Sequence, residues 1–306
     1  MTDDYIATVR LLLDIAPTVF RSGLFAMKGG TALNLFVQDM PRLSVDIDVV
    51  FVDHAPDREA ALAAIGAELR NVQQALQDRG LVVRLPGNAQ GDEVRLSVNG
   101  PNAQVKVEVN FVFRGTVLPV QSQPLALSAQ DLFTTNVSLP VLAPAELYGS
   151  KLVAAMDRQH PRDIFDVMHM LQRFGWTAEV VDCFVAYLAG HNRPVHEVLF
   201  GPAKSLEPAF TNEFVGMTRD EVPLAMLAET QAQLRHELPR QLAPRHREFL
   251  LSLVRGAPDW PLMPFEQLQD LPAIRWKLQN LATLKKRNAA RFGEQESLLA
   301  HGFDTL

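Results

Sequence analysis

Cysteine is all but missing. Cys183 stands alone among 306 residues, so no disulfide can form within the chain and a disulfide-stapled architecture is excluded. Surplus positive charge is missing as well. Lys and Arg number 29 against 35 Asp and Glu, a formal net charge of 29 − 35 = −6, whereas a protein that grips nucleic acid through many phosphates usually carries a basic excess. No apolar run approaches the roughly 18 residues that a membrane span needs. The opening Met1-Thr2-Asp3-Asp4 is acidic where a secretion signal is basic. These absences predict a soluble, cytoplasmic chain with no membrane partner. There is no internal repeat and no low-complexity tract, and no GxxxxGK[ST], which disfavours the P-loop NTPases. His160, His169 and Cys183 show no ligand-like grouping, so no zinc site is expected.

What is present reads as globular. Hydrophobic residues make up 47% and charged residues 21%, the balance of a chain that buries a core. At this length a single core is near its limit, so two packed units are expected. The first fifteen or so residues are amphipathic and predict a helix ending near Ala16-Pro17. Leu24-Phe25-Ala26-Met27 predicts a short buried strand, broken by Gly29-Gly30, and Thr31 to Phe36 a helix starting on that turn. Ser44 to Phe51 alternates and is β-branched, as in a strand. Leu62, Ile65, Leu69, Val72 and Leu76 recur at helical spacing over 57–79, and Gly80 is placed to end that helix. Runs at 81–85, 94–98 and 105–113, separated by Pro86-Gly87-Asn88 and Asn99-Gly100-Pro101-Asn102, predict an antiparallel hairpin or meander. Beyond a Pro-punctuated stretch, helix is predicted almost everywhere from Pro144 on, with Pro144 and Pro161 in first turns. The expected fold class is α+β: a small mixed-sheet domain over 1–143, then a mostly helical domain over 144–306.

The candidate chemistry begins at Asp46-Ile47-Asp48. Alternate side chains of a strand share a face, so both carboxylates point one way while Val45, Ile47, Val49 and Phe51 point the other. Such a pair suits one or two Mg²⁺ ions, which take oxygen ligands and share their shell with substrate phosphates. Two solvated acids on an exposed face are the plainer alternative. In Val105 to Phe111 one face is Val, Val, Val, Phe and the other is Lys106, Glu108 and Asn110. Glu108 would complete a two-metal site for phosphoryl transfer, or else pair with Arg95 across strands.

Lys28-Gly29-Gly30-Thr31 precedes a helical pattern. Glycines let backbone N–H groups approach a phosphate, and a helix start favours negative charge; Thr31 could equally do no more than cap the helix. Lys151 falls within the apolar arc of Leu147, Tyr148, Leu152 and Ala155, opposite Glu146, Ser150 and Asp157. Its ammonium must snorkel outward or meet an anion such as a triphosphate. Asp163 opens a helix whose apolar face is Ile164, Phe165, Met168 and Leu171, where the helix dipole alone would explain an acid. Arg275, Lys277, Lys285, Lys286, Arg287 and Arg291 form the notable basic cluster, either an RNA-binding patch or a solvated helix face.

Taken together, Lys28-Gly29-Gly30-Thr31-Ala32-Leu33 and Arg42-Leu43-Ser44-Val45-Asp46-Ile47-Asp48 resemble the opening of the AbiEii/AbiGii toxin family of nucleotidyltransferases. These are DNA polymerase β-like enzymes of abortive-infection (phage-defence) and MenT-type toxin–antitoxin systems. The likeness continues through Glu146-Leu147 with Lys151, through Arg162-Asp163-Ile164-Phe165-Asp166, and through Leu271-Pro272-Ala273-Ile274-Arg275-Trp276-Lys277-Leu278-Gln279-Asn280-Leu281. It implies that 1–143 is the nucleotidyltransferase core and that 144–306 completes the nucleotide cleft. Gly29, Gly30 and Thr31, counted with Lys28 and Ser44, would hold nucleotide phosphates. Asp46 and Asp48 would bind Mg²⁺ with Glu108 as the third acid, Lys151 would contact the triphosphate, and Asp163 would belong to the site with it. The implied activity is Mg²⁺-dependent transfer of NMP from an NTP to an acceptor such as the tRNA 3′ end, by a toxin with a cognate antitoxin. The alternatives are transfer to a small molecule or protein hydroxyl, or a non-catalytic protein that keeps the fold as a scaffold.

Overall fold

Residues 3–87 and 95–306 are described by the structure, a computed structural model. The chain divides into two units, residues 1–147 with 217–220, and 148–216 with 221–306. Set beside the expected division after residue 143, the boundary lies four residues later. Met217–Asp220 also returns to the first unit.

The first unit opens with α1 (Asp3–Val19), which buries Val9, Leu12, Ile15, Ala16 and Val19. It runs past its predicted end, with Pro17 inside the helix. Proline there lacks only one N–H in the last turns, and buried Val19 and Phe20 hold the chain down beyond it. Then come β1 (Phe25–Lys28), α2 (Gly29–Ala32), a π-helical turn over Leu33–Val37, and β2 (Ile47–Phe51). The strand predicted from Ser44 therefore begins at Ile47, and Asp46 lies one residue ahead of it. α3 (Arg58–Asp78) is capped by Asp57, whose carboxylate accepts from the Ala60 N–H at 2.8 Å; Gly80, at φ +85°, follows its end.

β3 (Val82–Arg84), β4 (Arg95–Asn99) and β5 (Gln104–Asn110) form the antiparallel meander. Val94 of the expected second run and Asn88 of the turn before it lie outside the described residues. Two further strands, β6 (Gln121–Pro124) and β7 (Ser138–Val141), flank α4 (Leu127–Phe133) in the stretch where no strand is predicted. The seven strands among the described residues make one mixed sheet in the order β3-β4-β5-β2-β1-β7-β6. β2 is central, parallel to β5 and antiparallel to β1, while β7 joins β1 in parallel. Ile47, Val49, Val50 and Phe51 are all buried, because a central strand is covered on both faces. α1 packs on α3 and β5, and α3 on β3 and β4.

The second unit is helical, and its first helix, α5 (Pro144–Asp157), is the one that carries the boundary. α6 (Pro161–Phe174), α7 (Ala178–Ala189), α8 (Val195–Phe200) and the short α9 (Glu207–Ala209) follow. The last four helices are α10 (Leu224–Gln241), α11 (Pro244–Val254), α12 (Pro272–Arg287) and α13 (Ala289–Asp304). α10 packs on α6 and α8, and α13 on α8, α11 and α12. Among the described residues no helix is long and apolar enough to cross a membrane.

Candidate active site

In the first unit the antiparallel register of β1 and β2 sets Lys28 opposite Asp48. The glycine turn that follows Lys28 is thereby laid on the Asp48 side chain. Gly29 adopts φ +78°, and a Cβ built on it would meet the Asp48 carboxylate, with Asp48 Cβ and Cγ at 3.0 Å. On Gly30 a Cβ would stand 2.7 Å from Arg42 Nη2 and 2.9 Å from Ser44 Oγ. Thr31, 1% exposed, shares a hydrogen bond with Ser44 between their hydroxyls at 3.0 Å. Asn34 Nδ2 donates to the Gly30 carbonyl at 2.8 Å, and Asn34 Oδ1 accepts from the Arg42 N–H at 3.2 Å. The fold therefore brings Lys28, Gly29, Gly30, Thr31, Ser44 and Asp48 together. The turn packs on the Asp48 carboxylate at Gly29, and the two hydroxyls pair with each other, Ser44 Oγ lying beside Gly30.

The parallel register of β2 and β5 puts Glu108 next to Asp48, yet Glu108 Oε1 is 2.9 Å from Arg95 Nη2. The three acids are not gathered as expected: among the described residues, no three His, Cys, Asp or Glu side chains form a group that could hold a metal ion. The physical reason is twofold. Asp46 lies outside the strand and is exposed, and Arg95, opposite Glu108 in the β4–β5 ladder, offers the nearer charge.

In the second unit Lys151 Nζ lies 2.9 Å from Asp163 Oδ1 and 3.1 Å from Asp166 Oδ2, with all three side chains under a tenth exposed. Arg158 Nη2 adds a second cation to Asp163 at 2.8 Å. The ammonium does not snorkel; it is neutralised in place. Asp163 does more than face a helix dipole, since it pairs with Lys151 and Arg158; the cap of α6 is His160, its Nδ1 accepting from the Arg162 N–H at 3.1 Å. Glu146, predicted on the polar side of α5, is fully buried and accepts from the Val117 and Leu118 N–H groups at 2.7 and 3.0 Å.

The profile described as "Nucleotidyl transferase AbiEii toxin, Type IV TA system" matches residues 10–280. The chain belongs to the AbiEii family. It is a nucleotidyltransferase. Its fold is similar to that of MenT4, a nucleotidyltransferase toxin from Mycobacterium tuberculosis H37Rv, with TM-score 0.58 and 20% identity over 80% of this chain and 87% of that one. Among curated proteins no sequence matches.

Sequence reading of this AbiEii protein passed over three residues of these clusters. Arg42 is 4% exposed and packs on Gly30. Asp166 is wholly buried beside Lys151, and Arg158 closes the same group. An arginine two residues before Ser44, and an Asp at i+3 from Asp163, were the available signals. The basic cluster is not a uniform patch. Lys277 is 5% exposed and donates to the His191 and Arg193 carbonyls at 2.9 and 2.7 Å; burial lowers its pKa to about 8. Arg275 pairs with Asp270 at 2.5 Å, and Lys285 lies 5.3 Å from the Phe292 ring centre.

Proposed function

We propose that this AbiEii protein is a Mg²⁺-dependent transferase that moves NMP from an NTP to an acceptor hydroxyl, with the 3′ end of tRNA as the acceptor. The observation that carries the reading is the packing of the glycine turn directly on Asp48, with the Thr31–Ser44 hydroxyl pair beside it. Backbone N–H groups and two hydroxyls suit phosphate oxygens. Carboxylate oxygens are the donors Mg²⁺ takes, and it is ordinarily held by one or two of them together with substrate phosphates. Asp46 and Asp48 would hold it, and Glu108, freed from Arg95, would add a third carboxylate. Bound there, Mg²⁺ supplies charge neutralisation for the triphosphate and activation of the attacking hydroxyl.

The residues of the chain have separate tasks. Gly29, Gly30, Thr31 and Ser44 orient the phosphates, with Lys28 adding positive charge. In the second unit Lys151 is held by Asp163 and Asp166 in a buried ion group of α5 and α6. The acceptor oxygen then bonds to the α-phosphorus, the α–β phosphoanhydride breaks, the hydroxyl proton leaves to solvent and pyrophosphate departs. A cognate antitoxin is the expected protein partner, as the toxin–antitoxin description of the family implies.

Incubating the pure protein with one labelled NTP at a time, Mg²⁺ and total RNA tests this. Transfer is expected with at least one NTP, and loss of transfer in Asp48→Ala and in EDTA. No label moved from any NTP by folded protein, or undiminished transfer by Asp48→Ala, overturns it. The net charge of −6 and the buried Lys277 favour a second acceptor class, a small molecule or a protein hydroxyl. Product analysis separates the classes, and the absence of any Mg²⁺- and NTP-dependent thermal shift would leave only the scaffold reading.

A further inference from the structure

We propose that Arg42 is the positioning residue of the phosphate pocket: its guanidinium, set against Gly30 beside Ser44, holds the glycine turn in the shape that receives an NTP. The inference rests on the nucleotidyltransferase reading of that turn. Arg42 Nη1 donates to the Leu43 carbonyl at 2.8 Å, folding the side chain back along its own loop. Nη2 and Ser44 Oγ then lie 2.7 and 2.9 Å from the place where a Gly30 Cβ would stand. Gly30 has no positive φ, so it is glycine for space, and what needs the space is Arg42 and Ser44. A lysine could not reproduce this contact, because only a planar guanidinium presents N–H groups along two directions at once.

The loop that carries Arg42 is fixed from several sides. Asn34 ties its backbone to the turn. Residues 217–219 pair with it from far along the chain: Arg42 and Thr218 form an antiparallel bridge, Leu43 N–H donates to the Met217 carbonyl at 2.7 Å, and Arg219 N–H to the Pro41 carbonyl at 2.9 Å. Tyr5, 6% exposed, has its hydroxyl beside the Ser44 backbone and the Arg42 charge, with no hydrogen-bond partner of good geometry among the described residues. So many constraints on one buried cation make sense where a shape must be held for an anionic ligand, and a positive charge in that place favours phosphate as well.

The test measures NTP KM, kcat and equilibrium binding of a non-hydrolysable NTP analogue for the full chain, beside thermal midpoints. Arg42→Lys and Arg42→Gln are expected to raise KM and the analogue Kd about tenfold, the effect of one lost charge-assisted contact, while kcat changes little. Gly30→Ala drives a methyl into the Arg42–Ser44 contact and should do the same. Tyr5→Phe should shift KM in the same direction by a smaller factor, and Arg21→Gln, an exposed charge, should leave it alone. Unchanged KM and Kd in folded Arg42 variants overturn the proposal, as does a fall confined to kcat. If the Arg42 variants do not fold, unchanged binding in both Gly30→Ala and Tyr5→Phe overturns it. Wild type that neither binds nor transfers any NTP overturns the transferase reading, and this one with it.

Discussion

Gly29 and Gly30 are neighbours with different reasons for being glycine. Gly29 needs both its φ of +78° and the room taken by Asp48; Gly30 needs only room. Gly29→Ala should therefore do two things. Backbone strain would cost about 1–3 kcal/mol, read from the shift in a urea or thermal midpoint. The displaced Asp48 would lower kcat by about a hundredfold, the usual penalty for a misplacement of about 1 Å, read in the labelled-NTP assay. The sequence showed a glycine turn before a helix, but not that Asp48 occupies the space beside it, because only the β1–β2 register joins them. Glu108 shows the same boundary. Strand alternation placed it on a polar face and left a metal role and an Arg95 pair open; the pair is formed. With 52% and 38% of the two side chains exposed, that pair is worth at most about 1 kcal/mol, so parting it for a stronger ligand is cheap.

At the scale of elements, α5 and α6 share the Lys151–Asp163–Asp166 group. Three buried charges tolerate rearrangement poorly, because removing one partner leaves another unpaired away from water. Asp166→Ala should cost about 3–5 kcal/mol in chemical denaturation. Asp166→Ala combined with Lys151→Met should cost less than the sum of the two singles, since the residues are coupled. A destabilisation below 1 kcal/mol would mean the group is solvated. Helices were the most legible elements, since the apolar spacing of α3 and its Asp57 and Gly80 ends repeat at the level of structure what the residues say. Strands β6 and β7 were not legible. Gln121-Ser122-Gln123-Pro124 is an edge strand with no apolar alternation, and Pro140 interrupts the Leu139 and Val141 pattern that the sheet nonetheless buries.

At the scale of the whole molecule, Lys277 ties global stability to pH. Burial lowers its pKa from 10.5 to about 8, so between those values the unfolded chain binds a proton that the folded chain does not. Stability from this group then rises with pH across that window, by up to about 3 kcal/mol. The neutral amine keeps two N–H donors for the His191 and Arg193 carbonyls. Urea midpoints at pH 7.5 and 9.5 should show wild type gaining on Lys277→Met at the higher pH, and parallel profiles would refute the buried cation. The same burial removes Lys277 from the basic surface that an RNA acceptor would use, so the patch available to RNA is smaller than a count of Lys and Arg along α12 and α13 suggests.

The sequence alone determined the run of elements from α1 to β5, the helical second half and the family, because periodicity, turn residues and short motifs are local and survive without coordinates. Only the tertiary structure decided which charges meet. Asp48 against Gly29, Arg42 over Gly30, Glu108 on Arg95 and Lys151 between two acids are each set by register or packing between segments distant in the chain. Electrostatic partners follow distance in space, and residue patterns encode distance only along the backbone.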